Sequence, residues 1–313
     1  MKLLKPRRLR KGDVIGLIAP ASPCPNPARV EVGVRYLEGL GYRVKPGRHI
    51  TARHGYLAGT DAQRLDDLNA MLNDPQVRAI FALRGGYGTP RLLPFVDYRA
   101  VRRQPKIVVG FSDLTALQLA LYRRTGLVTF SGPMVASDFG HPPDAYAEEH
   151  FWRVLTSNRP AGLLPNPPGE PCRRRRPGRA EGRLLGGNLS LLVSCLGTPF
   201  SPDYRGALLV LEDVGEQYHR LDRMFTQLRN AAILSRLAGL VLGHFTRCAP
   251  SNAREPHLTP TAMLDEVLTW FDVPVIERFS YGHITRKLTL PLGLRARLDA
   301  DRGRLQVLES AVE

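Results

Sequence analysis

Long apolar runs are missing from this 313-residue chain. No stretch of about 18 apolar residues occurs, so neither a transmembrane helix nor a membrane partner is expected. Residues 1–11 are basic but lack the apolar segment of a secretory signal, which points to a cytoplasmic protein. Cysteine is scarce. Cys24, Cys172, Cys195 and Cys248 are far apart and form no CxxC pair, a pattern of reduced thiols that excludes a disulfide framework and a zinc site. HExxH and clustered His/Cys/Asp ligands are also absent from the sequence, so no metal is expected.

Lysine is rare as well, with only 6 among 44 basic residues. The net charge of +15 raises nucleic acid as a partner. The arginines are scattered, however, and the single run, Arg173–Arg176, sits between prolines and glycines and reads as a solvated loop. Nothing resembles a recognition helix or an aromatic-studded basic groove, so no nucleic-acid partner is expected. A basic surface equally suits a small substrate rich in carboxylates, by raising its local concentration.

What is present is an alternation of strands and helices. Residues 13–20, 42–44, 77–83, 107–109 and 127–130 read as strands. Helical spacing runs through 29–40, through a segment capped by Thr60 and Asp61, and through 114–125 before the stop at Gly126. This order implies an α/β fold with a parallel sheet covered on both faces, whose sites form at the carboxyl ends of strands. Residues 158–183 are dominated by proline, glycine and charge and read as a linker between a first domain, 1–157, and a second, 184–313. In the second domain, 189–196, 218–230 and 261–271 read as helices. Residues 207–211, 237–242, 273–276 and a C-terminal pair turning at 299–303 read as strands.

Two strand ends in the first domain carry candidate chemistry. At Gly110-Phe-Ser-Asp113 a buried strand turns sharply into a helix, which stands the Ser112 hydroxyl clear of the backbone as a nucleophile requires. The competing reading is that Ser112 caps the helix. At Arg84-Gly-Gly-Tyr-Gly88 the missing side chains let a substrate approach the main chain, though the spacing matches neither a P-loop nor a dinucleotide fingerprint, and no cofactor is expected. Asp113, Gly86 and Gly85 are the candidates to supply oxyanion-binding amides.

A serine nucleophile needs a base and an orienting acid. Of the eight histidines, His244 and His283 each follow a glycine just past a strand, and local pattern does not separate them. Glu212 leaves the apolar run Leu208–Leu211 into a position that forms sites, where an unpaired carboxylate is costly. Alternatively, Glu212 or Asp213 caps the following turn or helix.

These blocks, with Gly186-Gly-Asn-Leu-Ser190, Leu211-Glu-Asp-Val-Gly-Glu216 and Gly282-His283, resemble the LD-carboxypeptidase family of serine peptidases. That family includes muramoyltetrapeptide carboxypeptidases and microcin C self-immunity hydrolases. The resemblance implies a flavodoxin-like N-terminal domain, a β-rich C-terminal domain, a site between them and a homodimer. It implies Ser112 as nucleophile, Glu212 as acid and His283, not His244, as base. The implied reaction is hydrolysis of an L,D-peptide bond with release of a terminal D-amino acid, as in murein tetrapeptide recycling, with Arg84 as candidate to hold the substrate's terminal carboxylates. The alternative is a microcin C-like peptide-nucleotide substrate. Microcin-hydrolysing members carry a longer, aromatic-bearing central loop, whereas this chain has a proline-, glycine- and arginine-rich stretch there without tryptophan, which favours the peptidoglycan-peptide branch.

Overall fold

A computed structural model describes residues 2–250, 252 and 256–313. The first half of the chain alternates regularly: β1 (Val14–Ile18), α1 (Pro27–Gly39), β2 (Arg43–Pro46), α2 (Asp61–Asn73), β3 (Val77–Ala82), α3 (Tyr98–Arg103), β4 (Ile107–Gly110), α4 (Leu114–Thr125), β5 (Thr129–Ser131) and α5 (Ala145–Thr156). A 3-10 turn at Thr89–Phe95 leads into α3.

Sequence chemistry sets several of these boundaries. Thr60 and Gln63 form a reciprocal capping box at the start of α2, each side chain binding the other's amide. Gly126 ends α4 with φ 81°, a left-handed conformation that glycine adopts without steric cost. The helix α5 lies outside the sequence reading, which passed from the strand 127–130 to the stretch 158–183.

In the first sheet β2, β1, β3, β4 and β5 are adjacent in that order and all parallel, the doubly wound flavodoxin-like arrangement. The second half contributes β6 (Pro160–Leu164), β7 (Arg173–Arg176), β8 (Arg179–Asn188), α6 (Leu189–Ser194), β9 (Ala207–Val214), α7 (Tyr218–Asn230), β10 (Gly239–Thr246), α8 (Pro260–Leu268), β11 (Val275–Glu277), β12 (Leu290–Leu292), β13 (Arg295–Asp299) and β14 (Arg304–Ser310). The second sheet is mixed, in the order β6-β14-β13-β8-β9-β10-β11-β7.

Two features differ from the sequence reading. The stretch 158–183 is not open loop, because β6, β7 and the first residues of β8 lie within it and belong to the second sheet. Arg173–Arg176 forms an edge strand antiparallel to β11, held by side-chain pairing that composition does not reveal. Arg175 reaches both Glu277 and Asp265, and Arg173 pairs with Glu277 at 3.2 Å. The other feature is β12, which comes late in the chain yet pairs antiparallel with β5 and closes that edge of the first sheet.

The helix α4 joins the halves. Leu117, Ala120 and Leu121 belong to the large core that includes the first sheet, whereas Leu119 and Tyr122 pack with Leu185, Leu189 and Leu211 of the second half. Ten of the twelve α4 residues are buried, from Leu114 to Tyr122 and at Thr125, and the buried Gln118 amide donates to the carbonyls of Gly110 and Phe130. The N-terminus of α4 is thereby pointed at the second sheet.

Candidate active site

The residues at the junction of the two halves are built from three strand ends. β4 ends at Gly110, and the chain turns through Ser112, whose φ of 65° is left-handed and rare for a non-glycine residue. The turn lets the Ser112 hydroxyl stand off from the helix it precedes. Asp113, not Ser112, holds the N-cap position of α4, and it makes no side-chain cap bond. Instead the buried Asp113 carboxylate accepts from the Thr89 amide at 2.8 Å and from the Thr89 hydroxyl. Burial pushes the Asp113 carboxyl above its ordinary range, with the Thr89 bonds opposing. Asp113 therefore ties the turn carrying Ser112 to the end of the glycine-rich segment 84–88.

β9 continues through Glu212 to Val214, and Glu212 pairs in register with Asn188 at the end of β8. Glu212 therefore sits inside a strand and caps no following turn. Its carboxylate is fully buried. Burial raises its proton affinity, the neighbouring Asp213 charge adds to that, and the hydrogen bond from His283 opposes it. The Asp213 carboxylate accepts from the Ser190 amide at 2.9 Å and hydroxyl at 2.6 Å, near the start of α6.

His283 arrives on an extended segment running beside β10, where the Phe279 amide bonds Leu242 at 3.1 Å and the His244 amide bonds Tyr281 at 2.8 Å. The same alignment pairs His244 with Gly282 in an isolated bridge, so the two histidines are neighbours. Only one of them meets the serine. His283 Nε2 lies 3.0 Å from Ser112 Oγ, and His283 Nδ1 lies 2.7 Å from Glu212 Oε2. The Phe111 ring packs on the imidazole at 4.8 Å between centroids. His244 lines a separate cavity with Arg278, Leu264 and Cys248.

The glycine-rich segment lies against the turn that carries Ser112. A Cβ added at Gly85 would stand 2.9 Å from Ser112 Cβ and 3.2 Å from its Oγ, so only glycine leaves that space open. Gly86, at φ 120°, presents its bare face to Ser22 instead. Among the described residues, the amides of Gly85, Gly86 and Asp113 meet no acceptor. Arg84 does not enter this space. It donates to the carbonyls of Gly85 at 3.2 Å and Pro23 at 3.3 Å, and it lines an adjacent cavity of about 480 Å³ with Cys24, Asn26 and Arg29.

The sequence reading missed Asn188 and Thr89, which hold Glu212 and Asp113. The block Gly186–Ser190 marked the neighbourhood of Asn188 without showing its partner. Gly187 explains part of that block. At φ 132° it has no Cβ to meet the Thr115 side chain of α4, and the next amide, Asn188, donates to Thr115 Oγ1 at 3.1 Å. Folding also gathers a set that linear spacing conceals: His49, Asp66 and Asp67 bring potential ligand atoms within 4.8 Å of one another. Both Asp67 oxygens already accept from the His49 amide.

A serine, a histidine and a buried glutamate linked in series, on a parallel α/β sheet joined to a mixed sheet, define the general class of serine hydrolases by geometry. Residues 15–132 match the LD-carboxypeptidase N-terminal domain and residues 181–298 the LD-carboxypeptidase C-terminal domain. The chain belongs to the LD-carboxypeptidase family. It is 38% identical over 312 residues to a probable murein peptide carboxypeptidase of Bacillus subtilis, covering 98% of this chain and 95% of the relative. Among solved structures, it is similar to a muramoyltetrapeptide carboxypeptidase from Oxalobacter formigenes, with TM-score 0.81, 33% identity and 94% and 97% of the two chains covered. It is also similar to MccF solved with glutamyl sulfamoyl guanosine, with TM-score 0.90, 28% identity and 99% and 100% covered. No helix among the described residues is long and apolar enough to cross a membrane.

Proposed function

We propose that the protein is a serine-type carboxypeptidase that hydrolyses the bond between an L-centre and a terminal D-amino acid, on a peptide of the murein tetrapeptide class. The observation that carries this reading is the series Ser112–His283–Glu212, with contacts of 3.0 and 2.7 Å. Ser112 attacks the scissile carbonyl while His283 takes its proton. His283 then gives that proton to the leaving amine and next takes one from the water that frees the acyl group from Ser112, while Glu212 fixes the imidazole through Nδ1 and stabilises its charged form. The amides of Asp113 and of Gly86 or Gly85 receive the oxyanion, each such donor contributing about 2.7–4 kcal/mol to transition-state binding. Arg84, in its cavity with Arg29, binds a substrate carboxylate.

In this reading residues 1–157 bring the nucleophile and 184–313 the acid and base, joined through 158–183. The enzyme works in the cytoplasm as a homodimer on small peptides. The central stretch, arginine-rich and without tryptophan, favours a peptidoglycan peptide over a peptide-nucleotide such as a microcin C-like acyl-sulfamide. The test is release of D-alanine from a murein tetrapeptide by the wild type and by Ser112→Ala, with an acyl-sulfamide adenylate assayed beside it. Release by the wild type and loss in the variant support the reading. Wild-type turnover by Ser112→Ala removes the nucleophile, and turnover of the sulfamide alone removes the peptide substrate.

A further inference from the structure

His283 and Lys287 ride on one loop closed on itself: the Leu288 amide bonds the Ser280 carbonyl at 2.7 Å, and the Ser280 hydroxyl bonds the Arg286 carbonyl. Both side chains pack on the same ring, with Lys287 Nζ 4.6 Å and the His283 ring 4.8 Å from the Phe111 centroid. Lys287 is an unusual residue to find here, since it is one of six lysines in the chain and only 6% exposed. Lysine is rarely buried unless paired. Its partner is Asp138, whose Oδ1 lies 2.7 Å from Nζ and whose Oδ2 accepts from the Met134 amide at 2.9 Å. An ammonium has three donors. Asp138 takes one, the Phe111 face covers another direction, and the side chain still lines a cleft of about 310 Å³ together with His283, Ser137 and Asp138.

The position of this cleft follows from the chemistry. The base that deprotonates Ser112 must later protonate the leaving amine, so the leaving amino acid lies on the His283 side of the scissile bond. The terminal carboxylate of that residue is separated from its amine by a single carbon. A cation that reads the carboxylate must therefore stand in the cleft that contains His283. Arg84 lines the neighbouring cavity instead, and two of its donors support the carbonyls of Pro23 and Gly85.

We infer that Lys287, held in place by Asp138, is the specificity-determining residue that binds the α-carboxylate of the departing D-amino acid, leaving Arg84 to a carboxylate elsewhere on the substrate. This inference rests on the carboxypeptidase reading and explains why cleavage there is confined to a chain end. An internal peptide bond has no carboxylate to offer the ammonium.

The experiment compares kcat/KM on a tetrapeptide ending in D-alanine with that on the same peptide ending in D-alaninamide. The wild type prefers the free carboxylate by roughly 10- to 100-fold, the scale of one charge-assisted hydrogen bond. In Lys287→Met that preference falls close to one, Lys287→Arg keeps part of it, and Arg84→Met leaves the ratio unchanged. Full preference in Lys287→Met, or its loss in Arg84→Met, overturns the assignment. A measurement without any change at Lys287 decides the matter if that variant fails to fold or the wild type cleaves neither peptide. In crystals of Ser112→Ala soaked with the D-alanine peptide, the terminal carboxylate is expected at Lys287 Nζ, and its appearance at Arg84 or away from both cations overturns the inference. Absence of hydrolysis by the wild type would count against the carboxypeptidase reading, while the carboxylate position judges Lys287 separately.

Discussion

Asn188 holds Glu212 from the side the histidine leaves free. Its Nδ2 lies 3.2 Å from Glu212 Oε1 and 2.9 Å from Asp213 Oδ1, so one amide group serves two buried carboxylates. Substituting leucine removes that donor and leaves both acids without it. Asn188→Leu is expected to lower stability by about 1–3 kcal/mol, the cost of orphaning a buried acceptor, and to push the Glu212 carboxyl further upward, lowering kcat more than it changes KM. Urea unfolding and steady-state kinetics on the same preparation check this. An unchanged kcat would show that Glu212 does not depend on Asn188.

Ser112 occupies a left-handed backbone conformation that glycine adopts freely. Ser112→Gly is expected to be inactive but more stable than Ser112→Ala by about 1 kcal/mol, the typical scale of strain at such a position. Chemical denaturation of the two inactive variants measures the difference. Equal stabilities would mean that the turn is not strained.

Gly85→Ala tests the open space beside Ser112. The added methyl would stand 3.2 Å from Ser112 Oγ and 3.1 Å from the Phe111 carbonyl, so the turn that carries the hydroxyl must shift. We expect kcat to fall by about 100-fold or more, as when one oxyanion donor is lost, with a cooperative unfolding transition retained. Activity near wild type would place the oxyanion elsewhere.

His150 supplies a pH dependence of its own. It is buried on α5 beside Tyr146, and its Nδ1 accepts from Arg153 at 2.8 Å. Burial, followed by the Arg153 charge, lowers its pKa from 6.5 to about 4. The folded protein thus binds fewer protons than the unfolded chain across that window. The stability contribution is complete above pH 6.5 and is lost as pH falls toward 4, by up to about 3 kcal/mol. His150→Gln keeps an acceptor for Arg153 but cannot titrate, so it should lose less stability than the wild type between pH 7 and pH 4.5. Parallel pH profiles in urea unfolding would contradict the assignment.

The parts of this structure that were readable in the sequence are those set by neighbours along the chain. The Thr60 cap, the Gly126 stop and the strand-turn-helix around Ser112 depend on residues a few positions apart, and their chemistry is visible locally. The Arg173–Arg176 strand was not readable, because what makes it a strand is an edge of β11 and the carboxylates of Glu277 and Asp265, about 100 positions later. The choice between His244 and His283 failed locally for a similar reason. Both follow glycines and lie side by side, and only the direction of Ser112 and Glu212 distinguishes them. The family resemblance supplied that choice, and in the fold it is His283 Nε2 that lies 3.0 Å from Ser112 Oγ.

β12 gives the molecule a timetable. Ser112 and His283 are 171 positions apart, and the strand that covers the β5 edge follows His283 by only a few residues. Contacts that close such long loops form late in folding. In the proposed reading, a ribosome that has released the chain only through β5 has produced the nucleophile without its base, on a sheet whose β5 edge is still unpaired. On that reading the base therefore arrives together with the strand that closes that edge, and a chain that stops before residue 283 lacks the base.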